Sequence, residues 1–120
     1  MRLGQLLLTL ALIALLSRHA LAEPRWLACK FNDTGGKTQN FLMVFDDIRG
    51  TAALFDGVAL VEGSGTSINF QSLRTRFPAF SVTYNRNDGA LSLSMQGSIG
   101  GILTGECRRT APPPGAPQLQ

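Results

Sequence analysis

Histidine is almost missing from this chain of 120 residues: the only one, His19, lies in a segment that reads as an export signal. In that segment Arg2 supplies a positive start, Leu6 to Leu16 is apolar apart from Thr9, and Ala20-Leu21-Ala22 is a small-x-small cleavage site. Cleavage is expected to leave Glu23 as the mature N-terminus and the mature chain without histidine. That excludes Ser-His and Cys-His nucleophiles and histidine-ligated zinc or copper within one chain, because these chemistries need an imidazole as base or ligand.

Other absences narrow the field further. No apolar run reaches the ~20 residues that cross a bilayer as a helix, and Arg18 and His19 follow the longest one, so no membrane span is expected after cleavage. The chain has 11 basic and 8 acidic residues, but Arg2 and Arg18 leave with the signal, so the mature chain carries 9 against 8, a net +1. Without an attractive overall field, nucleic acid is not an expected partner. Gly63-Ser64-Gly65 lacks the Gly-x-Ser-x-Gly spacing of a nucleophile elbow, Asp46 to Asp56 lacks the alternating oxygens of a calcium loop, and no glycine-rich phosphate loop with its lysine is present. Asp46 and Asp47 are adjacent, which on a strand points them to opposite faces, so they read as turn-forming residues rather than a paired acid and base. No catalytic residue, cofactor or metal ligand is assigned.

What remains reads as all-β: a small antiparallel meander or barrel-like domain over residues 23–110, after the signal helix (1–22) and before a disordered, proline-rich tail (111–120). The expected strands are Trp26 to Phe31, Asn40 to Phe45, Thr51 to Phe55, Val58 to Glu62, Ser67 to Gln71 and Ile102 to Cys107, with Asp, Asn and Gly clusters between them. Gly63-Ser64-Gly65 is taken as a reversal. The clearest element is a hairpin from Phe80 to Met95, in which Phe80, Val82 and Tyr84, then Leu91, Leu93 and Met95, alternate with polar residues around Asn87-Asp88-Gly89. Tyr84 and Trp26 read as core anchors, with carbohydrate stacking an alternative for Trp26. Tail residues 111–120 include four prolines and no charge.

The chain has two cysteines, Cys29 and Cys107, near opposite ends of the domain. Export would deliver both to an oxidising compartment, where only one intramolecular pairing exists, so a disulfide on adjacent or facing strands is expected to close the domain. Leu27-Ala28-Cys29 also has the outline of a lipoprotein signal, but Arg18, His19, Glu23, Pro24 and Arg25 separate it from the apolar stretch, and that reading orphans Cys107. Asn32-Asp33-Thr34 matches the N-glycosylation pattern, relevant in a secreting eukaryote.

Trp26-Leu27-Ala28-Cys29, Tyr84-Asn85-Arg86-Asn87-Asp88-Gly89 and Gly105-Glu106-Cys107 together resemble a loose class of small exported bacterial proteins, with an early cysteine after an aromatic-Leu pair and a late Gly-x-Cys strand. The resemblance implies a compact, disulfide-closed β domain. A fainter similarity is to the periplasmic inhibitors of c-type lysozyme, whose inhibitory loop has Ser-Gly-x-x-Tyr; here Ser64-Gly65-Thr66-Ser67-Ile68 has Ile68 in place of the tyrosine.

Three function classes follow. The first is an exported, periplasmic or extracellular, non-catalytic β domain that binds a protein or envelope component. Arg74, Arg76 and Phe77 are its candidate surface: on an extended chain the two arginines share a face and could grip a carboxylate or phosphate. The bland alternative is a solvated edge strand ended by Pro78. The second is a carrier of a small apolar ligand, with a barrel pocket lined by residues such as Phe41, Phe45, Phe70 and Phe80. The third is a hydrolase using carboxylates alone, which would need two of them converging in a cleft.

Overall fold

A computed structural model of the chain describes residues 23–97 and 101–117. The export signal expected over 1–22 lies outside the described residues, as do 98–100 of the glycine turn and 118–120 of the tail. Nine strands make up the domain: β1 (Arg25–Asn32), β2 (Thr38–Asp46), β3 (Thr51–Phe55), β4 (Leu60–Glu62), β5 (Ser64–Ile68), β6 (Ser72–Arg76), β7 (Phe80–Asn85), β8 (Ala90–Met95) and β9 (Ile102–Thr110). The hairpin runs from Phe80 to Met95 as its alternation predicts.

The nine strands form one antiparallel sheet in the order β4-β3-β2-β1-β9-β8-β7-β6-β5, a nearly closed barrel in which the first and last strands are neighbours at the middle of the wall. Antiparallel pairing all the way round a meander requires an even number of strands. The chain meets this because β4 and β5 are two halves of one bent strand, separated only by Gly63. Its first half pairs with β3, through Leu54 and Val61, and its second with β6, through Ile68 and Leu73. Gly63 is therefore a bend rather than the expected reversal. Its place has a steric reason: a Cβ there would collide with the hydroxyl of the buried Thr75, which is itself hydrogen-bonded to the Thr66 hydroxyl at 2.8 Å.

Two further sequence expectations are corrected here. The strand placed over Ser67 to Gln71 lies earlier, because Asn69 turns the chain: its side-chain oxygen accepts from the backbone N–H of Gln71 and of Ser72, both at 2.8 Å. Likewise Arg74 and Arg76 are not on an edge, because β6 is paired on both sides, with β5 and with β7.

Asn69 is one of a set. Asp33, Asp46, Asp56 and Asn85 each accept backbone N–H groups two to four residues ahead, so most reversals are shaped by an Asp or Asn side chain at their start. The Asp33 carboxyl is held below its ordinary value first by the Gln39 side-chain amide and then by the Lys37 N–H. The N–H groups of Ala59 and Val58 hold Asp56 down in the same way.

Inward side chains fill the barrel. Leu27, Met43, Leu73, Phe77, Val82, Leu91 and Leu93 are buried there with Phe45, Tyr84 and the disulfide. Cys29 and Cys107 face each other across the β1–β9 pair with 4.0 Å between Cα atoms, so the cross-link fastens the strands that begin and end the domain. Beside it Gly105 lets β9 pass close to β1, where a Cβ would strike the Lys30 carbonyl. A second, smaller cluster lies on the outside of the wall, where Trp26, Val44 and Ala53 occupy the opposite face of β1, β2 and β3.

Candidate functional site

The two ends of the barrel differ. The turns after β2, β5 and β7 lie at one end, and an arginine seals it. Arg86, at the β7–β8 turn, donates through Nη1 and Nη2 to the Asp47 carboxylate at 2.7 and 3.1 Å, reaching the β2–β3 turn. Nη1 also donates to the Asn69 carbonyl at 2.7 Å in the β5–β6 turn, and the guanidinium lies 5.1 Å from the centre of the Phe45 ring. Arg25 approaches the same carboxylate at 3.5 Å. One cation thus ties three reversals together while its stem covers the core, and its side chain is 15% exposed.

The opposite end is open. Here the turns after β1, β3 and β6 surround a pocket of about 480 Å³ whose walls are Phe31, Phe41, Phe80, Leu54, Met95 and Leu103. The rings meet edge to face or tilted, with centroids 6.1 Å apart for Phe31 and Phe41 and 5.5 Å for Phe41 and Phe80. Two residues further along the same strands, Cys29, Met43, Val82 and Leu93 are all buried, so the pocket ends one layer of side chains in. Its rim is polar: Asp33, Thr34, Gln39 and Asn40 stand at the entrance, with the Gln39 amide donating to Asp33 at 3.1 Å. The result is a cup, apolar at the base and hydrogen-bonding at the lip.

Of the four phenylalanines expected to line a carrier's cavity, Phe41 and Phe80 come together there. Phe45 does not, because it lies in the core beneath Arg86, and Phe70 does not, because it projects from the β5–β6 turn at the sealed end, 80% exposed. Arg74 and Arg76 are both exposed on the outer face of β6, opposite Thr83 and Ser81, and neither has a carboxylate partner among the described residues. Phe77, expected beside them, is 1% exposed and packs edge-on against Phe80, so of the three expected residues only the arginines reach the surface. Asp46 is buried and accepts from its own turn, while Asp47 binds Arg86, so the two carboxylates do not converge. Ser64–Ile68 is a strand, and Ile68 packs against the core where the lysozyme inhibitors have their loop tyrosine. Among the described residues, no group of three or more His, Cys, Asp or Glu side chains is placed to hold a metal ion.

The roles of Arg86, Phe31, Leu54, Met95 and Leu103 escaped the sequence reading. Arg86 and Asp47 are 39 residues apart and both sit in turns, where a charged residue carries no distinguishing signal. Phe31 ends an expected strand, but only the closed ring reveals that it meets Phe41 and shares a pocket with Phe80. Compared with known proteins, the chain matches no family model, no curated relative and no solved structure.

Proposed function

We propose that the chain is an exported, non-catalytic binding domain whose open barrel mouth takes up one small amphiphilic molecule. The observation that carries this reading is the difference between the ends: the same barrel is sealed by Arg86 at one and left open over partly buried phenylalanines at the other. Eight staves leave room for filling side chains or one small ligand, and here the filling stops short of the mouth. Apolar ligand surface buried against the rings gains about 25 cal/mol per Å², and the cost of immobilising the ligand is subtracted from it, so binding is expected to be weak. Asp33, Thr34, Gln39 and Asn40 then offer hydrogen bonds to a polar head at the lip.

A second reading, docking of a protein or envelope component, is favoured by the exposed Arg74 and Arg76, which have no carboxylate partner among the described residues. Native intact-mass spectrometry on protein from its own exported fraction separates the two. The amphiphile reading expects a small non-covalent adduct, or uptake of one added decanoate, that is lost in a folded Phe41→Asp variant. A bare chain that also refuses decanoate would overturn it, and a bound polypeptide would favour the arginine surface.

A further inference from the structure

Trp26 is the only tryptophan of the chain and sits on the outside of the barrel, yet it is only 6% exposed. Part of the cover is an aromatic neighbour, since the Phe55 ring meets it edge-on with centroids 5.8 Å apart. Another part comes from the C-terminal segment. β9 ends at Thr110, the register partner of Trp26, so the chain leaves the sheet directly beside the indole. Residues 111–117 then turn, with the Ala116 N–H donating to the Pro113 carbonyl at 3.1 Å and Gly115 at a φ of 73°. Ala116 comes to rest on the cluster of Trp26, Val44 and Ala53, flanked by Leu42, Phe55 and Leu60.

The segment fills only one end of this face. Beyond it, along Ala28, Leu42 and Phe55, runs an open groove of about 690 Å³ that ends near Lys30, Glu106 and Arg108. Leu42 and Phe55 line both, so the covered patch and the open groove are continuous. Phe55 in the groove and Trp26 at its covered end give this face aromatic surface, which suits a proline-rich segment in particular. Such a segment is already extended, loses little conformational entropy on docking, and presents flat rings that stack on aromatic side chains.

We propose that this outer groove is a docking site for an extended, uncharged, proline-rich segment of a partner protein, and that residues 111–117 occupy its Trp26 end in cis. Ala116 lies six residues beyond Thr110, where the strand ends, so the tether holds the resident segment at an effective concentration in the millimolar range. A partner segment must displace it and is able to do so because it also gains the vacant Leu42–Phe55 stretch. The groove borders the barrel mouth, since Asn40, Phe41 and Phe55 line both, while Ala28, Leu42 and Arg108 belong to the groove alone.

The test uses the full chain, with Trp26 as its own reporter. Ala116→Asp puts a charge on the apolar patch and leaves every strand unchanged, so far-UV circular dichroism should match the wild type while Trp26 emission moves to the red and acrylamide quenching rises at least twofold. Adding the free peptide Ala-Pro-Pro-Pro-Gly-Ala-Pro should return the emission saturably in this variant, and at least tenfold less readily in the wild type. Unchanged emission and quenching in Ala116→Asp would overturn the cis cover. A red shift that neither this peptide nor a longer proline-rich one reverses would overturn the docking site.

Discussion

Replacing Arg86 by alanine should destabilise the domain by about 3 kcal/mol although the residue lies in a turn. The two bonds to Asp47 involve a carboxylate with 34% exposure, so solvent screening limits the pair to about 1 kcal/mol. The bond to the Asn69 carbonyl contributes about 1 kcal/mol more, and the guanidinium over Phe45 with its packed stem roughly another 1. Arg86→Lys keeps a charge and one bond but loses the planar fork, and should cost about half as much. Asp47→Ala should cost about 1 kcal/mol, and the double variant should fall short of the sum by a similar amount, since the two residues share one interaction. Urea unfolding with the disulfide intact is the assay. With an m value of about 1 kcal/mol/M, low because the cross-link keeps the unfolded chain compact, the alanine variant's midpoint should drop by about 3 M at unchanged m. A drop under about 1 M, with Lys and Ala variants alike, would refute the clamp and mean that strand pairing alone holds the sealed end.

Two further perturbations probe the wall of the barrel. Removing the disulfide by Cys29→Ala with Cys107→Ala releases a loop of 78 residues, which the loop-entropy model values at about 4.5 kcal/mol, so the Tm should fall by about 20 °C or more in a calorimetric scan; a fall below about 5 °C would mean that β1–β9 pairing needs no fastening. Gly63→Ala should cost about 2–3 kcal/mol through its collision with Thr75, and adding Thr75→Ala should recover at least about 1 kcal/mol of it in urea titrations, whereas simple additivity would place the strain elsewhere.

Much of this fold was legible where local chemistry decides it. The Phe80–Met95 hairpin and the strand Thr51–Phe55 follow from alternation and turn residues a few positions apart, and the disulfide follows from having two cysteines and no alternative pairing. Ser67 to Gln71 was misplaced because one Asn side chain, rather than the glycines just before it, makes the reversal. Gly63 misled for the opposite reason: a glycine that admits a close neighbour looks, in sequence, the same as one that turns the chain. The mouth was half legible. Phe41 and Phe80 line the pocket, whereas Phe45, on the same strand as Phe41, lies further along in the core, and Phe70 falls in a turn and projects to solvent. Arg86 was illegible because its partners come from two other turns, and that neighbourhood exists only once the ring closes.

Because Trp26 and Thr110 are partners in adjacent strands, the domain enters and leaves at one spot, about 5 Å wide. Such a body can be spliced into a loop of a host protein without prying that loop apart, or circularly permuted by joining residue 25 to residue 110 and cutting at the exposed Thr34–Gly36 tip. A permuted chain would carry its cysteines 29 and 107 close together along the backbone instead of far apart. The cross-link would then close a short loop, and most of its entropic contribution would pass to the new peptide joint.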